Sequence, residues 1–119
     1  MRLRSTLALL LLLGAAGARR AYAQAADGKA VYEENCRKCH GVRGTPPKTM
    51  KEKYPKIATF NAEFIEKRSD DSIVKVLMKG VGKAEDMKSF KNTLTAEEIA
   101  AVAKYVRELA LKAAPSPGQ

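Results

Sequence analysis

The sequence predicts an all-α domain of three to five helices, and three observations carry that reading. Apolar residues recur at three- and four-residue spacing in several stretches. Most of these stretches are opened by a residue that caps helices, and no stretch shows the strict alternation of a half-buried strand. The third observation is a short motif, Cys36-Arg37-Lys38-Cys39-His40, lying at the end of the first stretch.

Each element follows from local chemistry. Asp27 caps a helix that begins near Gly28 and runs into the motif, with Gly28, Val31, Tyr32, Cys36 and Cys39 on one face. Residues 41–60 hold Gly41, Gly44, Pro46, Pro47 and Pro55 and read as irregular chain. A loop that long in a small domain usually has a function. Asn61 caps a short helix through about Lys67. Ser69, followed by Asp70 and Asp71, opens another that ends at Gly80, its inner face carrying Ile73, Val76 and Leu77. Residues 81–94 read as a second loop. Thr95 to Glu98 form a capping box for the last helix, whose apolar stripe is Ile99, Val102, Tyr105, Val106 and Leu109. Residues 115–119 read as a frayed tail.

The motif is C-x-x-C-H, the attachment signature of a c-type haem. Two thiols add to the two vinyl groups of the porphyrin, and a two-residue spacer keeps both sulfurs on one side of a turn. The adjacent imidazole becomes the proximal iron ligand. The chain has two cysteines and one histidine, and all three lie within these five positions. A thioredoxin-like pair would follow a strand, and none is predicted here. A zinc site needs a second ligand pair, and there is none. A disulfide across so short a loop would stabilise little. The cofactor expected is therefore one covalent haem c on Cys36 and Cys39, with His40 as proximal axial ligand.

The amino terminus points the same way. Arg2 and Arg4 precede an apolar run from Thr6 to Ala18, and Ala21-Tyr22-Ala23 is an A-x-A cleavage site. The run is short for a bilayer span and Arg19 and Arg20 follow it. Residues 1–23 read as a signal peptide and 24–119 as one soluble domain in the periplasm, where covalent haem is installed after export. The mature part carries 18 basic and 13 acidic side chains, a formal +5. The compartment argues against nucleic acid as the partner, so the basic balance suits acidic redox-partner proteins or an anionic membrane surface, with no stable membrane anchor expected. The mature chain has no Trp, three Tyr and three Phe, which makes haem the expected centre of its core.

The chain resembles the class I monohaem c-type cytochromes. Gly28, Tyr32 and Cys36 match the family's glycine–aromatic–cysteine steps of four, and Val102, Tyr105 and Val106 match its last helix. The resemblance implies the cytochrome c fold, with the first helix crossing the last at Gly28. It implies a methionine as sixth ligand from the loop before the last helix. Met87 lies in that loop; Met78 sits in a predicted helix, where packing is the ordinary role, and Met50 follows His40 by only ten residues. Lys88 stands where relatives often have proline after the methionine. Relatives hold the proximal imidazole with a proline carbonyl, for which Pro46, Pro47 and Pro55 are candidates. The resemblance places the docking surface around the haem edge, where Lys38, Lys83, Lys88 and Lys91 fall. A six-coordinate haem has no open site for substrate, which implies an electron carrier rather than an enzyme, with no catalytic residues; the carrier is expected to be a monomer. The alternatives are a ligand-binding or sensory haem protein with a labile sixth site, or a cytochrome subunit of a larger oxidoreductase complex.

Overall fold

The structure, a computed structural model, describes residues 25–83 and 86–113. The expected signal peptide and the tail from residue 115 lie outside these residues. Among the described residues six helical segments follow one another: α1 (Gly28–Asn35), α2 (Arg37–His40), α3 (Lys48–Lys53), α4 (Ala62–Glu66), α5 (Asp70–Lys79) and α6 (Ala96–Lys112). Among the described residues there is one isolated antiparallel bridge, Val81 with Met87, and no strand.

The caps form where the sequence places them. Asp27 accepts from the Lys29 and Ala30 amides, Asn61 from Phe64, Ser69 from Ser72, and Thr95 exchanges both bonds of a capping box with Glu98. Each satisfies amides that the first turn of a helix leaves without an internal partner.

Two expectations need correction. Six segments form rather than three to five, because the stretch after the motif is not wholly irregular. Pro47 is the cap of α3, its carbonyl accepting from the Met50 and Lys51 amides. A proline there gives up no needed donor, and Pro55 stops the segment after Tyr54. The prolines punctuate a helix where their spacing alone predicts a loop. α2 is the other extra segment, a single turn set off from α1 by Cys36. The second correction concerns Met78. Packing was its expected role, yet it is 36% exposed. On α5 it is Ile73 and Leu77 that turn inward, with Val76 half-buried.

α1 and α6 form the largest helix contact. Gly28 makes it possible: a Cβ there would run into the backbone carbonyl of Ala101 and sit 3.1 Å from the Tyr105 Cβ. Tyr32 lies beneath the crossing, edge-on to Tyr105 at 5.3 Å between ring centroids. Val102, Ala103, Val106, Leu109 and Ala110 of α6 are buried with Val31, Tyr32 and Cys36, making one core with Phe60, Ile73, Leu77, Phe90 and Ile99. α5 packs on the same long helix, pinned by Arg107, which pairs with Asp70 and donates to the Arg68 carbonyl.

Candidate haem-binding site

α1 ends at Asn35, and Cys36 turns the chain into α2. The amides of Cys39 and His40 both donate to the Cys36 carbonyl, at 3.1 and 2.9 Å. This single turn holds the two cysteines and the histidine together. Both thiols are free of disulfide; Cys36 is buried and Cys39 half-buried. Burial pushes the Cys36 thiol up to about 11.

Gly41 closes α2 at φ 78°, a left-handed conformation that a side chain would strain. Its carbonyl accepts the Tyr32 hydroxyl at 2.7 Å. Burial holds the Tyr32 phenol far above its ordinary value, so it stays a neutral donor. Gly44, at φ 81°, lies where any Cβ would press on the Phe60 ring, and its carbonyl accepts the Phe60 amide at 2.8 Å. The motif and the segment before α4 are thereby clamped together.

His40 sits inside this clamp. Its Nδ1 lies 3.2 Å from the Ala58 carbonyl, and its ring stacks on Phe60. The backbone bond makes Nδ1 the donor and leaves Nε2 with its lone pair, the form an imidazole needs to ligate iron. Burial lowers the pKa of His40, which also favours the neutral ring. The proline expectation is corrected here, since the carbonyl belongs to Ala58. Pro47 is spent capping α3, and the turn closed by the Ile57 amide on Tyr54 carries the chain past Pro55 before a carbonyl reaches the ring. Neither the Ala58 contact nor the Phe60 stack leaves a sequence signal beyond an aromatic standing just before the Asn61 cap.

Met87 is held in the second loop by two backbone bonds to Val81, 2.9 and 3.3 Å long, and is half-buried against the core. Gly80 lets this happen, because a Cβ there would meet the Met87 carbonyl. Met50 is half-buried on α3. Lys38, Lys83, Lys88 and Lys91 are all exposed; Lys88 lies over the Phe90 ring at 5.6 Å. Lys38 sits in the motif turn, away in sequence from the three that border Met87.

The chemistry of this set fits a c-type haem. Free thiols share a turn with an imidazole whose outer nitrogen is already bonded, and a half-buried thioether stands in a backbone-braced loop. A helical fold with that motif defines the class of protein, a monohaem c-type cytochrome of the class I kind. Comparison with known proteins agrees. Residues 23–106 match a family described as cytochrome c oxidase, cbb3-type, subunit III, and the chain belongs to that family of c-type cytochrome domains. The solved structure of the KustC0563 c-type cytochrome is 34% identical, with a TM-score of 0.63 over 71% of this chain and 98% of that one. A comparison with curated proteins found no match. A c-type cytochrome carries haem c with its iron, and the family points to haem-based electron transfer. No described helix is long and apolar enough to cross a membrane.

Proposed function

We propose that the protein is an exported carrier of single electrons, built on one haem bound through Cys36 and Cys39. His40 is the proximal iron ligand and Met87 the distal one. The bound group supplies a reversible one-electron iron couple. The chain's own part is to hold ligands and exclude water. Ala58 fixes the imidazole tautomer, Phe60 backs the ring, and the Val81 bridge braces the loop that bears Met87. With haem bound, the Met87 thioether together with the His40 imidazole would favour ferrous iron and would leave outside ligands no open position.

The observation that carries this reading is the pre-set imidazole. An Nδ1 bonded to backbone beside two free thiols in one turn is the arrangement a covalent haem needs, and it has no other evident use. The test is carbon monoxide. A closed carrier titrates as one reversible electron and leaves carbon monoxide unbound in the ferrous state at neutral pH. Rapid carbon monoxide binding by the unmodified protein would favour the ligand-binding alternative.

A second reading draws on the matched family, whose description names a subunit of an oxidase. In that reading the cytochrome is held in a larger oxidoreductase complex. Native electrophoresis of its own membranes separates the two, since a free carrier migrates alone.

A further inference from the structure

A groove of about 1150 Å³ opens between the turn that follows α2 and the carboxyl end of α6. Its walls bring Arg37, Lys38, Arg43 and Lys112 to one place, and among the described residues none of these four forms a salt bridge. Among the described residues the groove has one carboxylate, Glu33, which already pairs with Lys29. Elsewhere on the surface Lys48, Lys67 and Arg107 have acidic neighbours. The floor is apolar. Leu109 and Phe60 form it, and Val42 stands on the rim with 61% of its surface exposed. Among the described residues, none from the Met87 loop lines it.

From this we infer that the groove is a second docking surface, and that its occupant is a short acidic segment of a partner protein carrying an apolar side chain. Four unpaired cations around an apolar floor call for carboxylates at the rim and a hydrocarbon group at the centre. A concave channel suits a peptide segment better than a lipid surface, which would meet its edges and leave the floor unfilled. The face takes Lys38 from the set expected at the haem edge, but none of Lys83, Lys88 and Lys91, the lysines that border Met87, lines it. Its floor is also connected to the haem site, because Phe60 is the ring that stacks on His40. A segment lying in the groove therefore rests on the group that backs the proximal ligand. This deepens the carrier reading by giving the protein two faces, and rests on that reading only for the role of His40.

The experiment uses the haem-loaded protein, its absorbance recorded first so that loss of the haem reading is seen separately. The probe is the peptide Glu-Glu-Leu-Glu-Glu at low ionic strength, followed by nitrogen–proton correlation spectra. Saturable shifts at Val42, Arg43, Thr59 and Phe60 are expected. Arg43→Glu with Lys112→Glu should weaken binding by about tenfold, the sum of a few exposed charge contacts. Arg43→Gln with Lys112→Gln should weaken it less, and serves if the reversal disturbs folding. Reversal of Lys83, Lys88 and Lys91 should leave the affinity within about twofold of the starting protein. Shifts centred on residues 83–91 would overturn the proposal, as would equal weakening by both variant sets or absence of saturable binding. Binding to anionic phosphatidylglycerol vesicles but not to the peptide would overturn it in favour of a lipid surface.

Discussion

The imidazole of His40 lies almost flat against the ring of Phe60, with centroids 4.7 Å apart and planes 17° from parallel. The Ala58 carbonyl holds one edge of the same imidazole. The two contacts, one on a ring nitrogen and one on the ring face, leave the imidazole little freedom to rotate.

Phe60→Leu should therefore change the spread of haem methyl resonances in the ferric protein, because that spread reports the plane of the axial imidazole. Loss of packing should cost about 1–2 kcal/mol of stability. Phe60→Tyr, which keeps the ring face, should restore the methyl pattern if its hydroxyl is accommodated. An unchanged methyl pattern in the leucine variant would show that Phe60 only fills space.

Gly28→Ala should destabilise the folded protein by about 2–3 kcal/mol. The added methyl meets the Ala101 backbone, which cannot move aside without parting α1 from α6. Chemical denaturation of the haem protein measures this. A stable alanine variant would mean that the helix crossing is looser than the structure has it.

Met87→Ala should abolish the methionine–iron charge-transfer band at the red end of the ferric spectrum and open the ferrous protein to carbon monoxide. Met78→Ala should leave both unchanged, since that side chain lies exposed on α5. Loss of the band from the Met78 variant alone would transfer the distal ligand to the other sulfur.

Acid should weaken the fold through His40, the chain's one histidine. Burial depresses its pKa below the ordinary 6.5, so below that pH the unfolded chain takes up a proton that the folded chain refuses. Stability from the neutral ring is complete above 6.5 and declines as pH falls from there toward the depressed folded value. The slope is at most about 1.4 kcal/mol per pH unit for one proton, and iron ligation acts in the same direction. The urea midpoint should be lower at about pH 5 than at about pH 7. A constant or rising midpoint would contradict the assignment.

Much of this architecture is legible in the sequence because capping is local. Asp27, Asn61, Ser69 and Thr95 each open a helix with their own side chains, so four boundaries are written within three or four residues. The Gly28–Tyr32–Cys36 face is legible for the same reason, as a period on one helix. The proximal segment is harder to read. Its prolines mark breaks, but whether a break begins a helix or a loop depends on the residues that follow, and Lys48 to Lys53 carry no apolar stripe. The Ala58 carbonyl leaves no trace at all, because a backbone group is supplied equally by any residue. The exposure of Met78 likewise follows from how α5 is rotated against α6, which the spacing of Ile73 and Leu77 determines only loosely.

The central claim is that Cys36 and Cys39 carry the haem covalently. The direct measurement is haem staining on a denaturing gel of protein expressed with export and haem-attachment machinery. The starting protein should retain its haem through denaturation, and Cys36→Ala with Cys39→Ala should retain none while the polypeptide is still made. Covalent haem surviving in the double variant would contradict the account at its base.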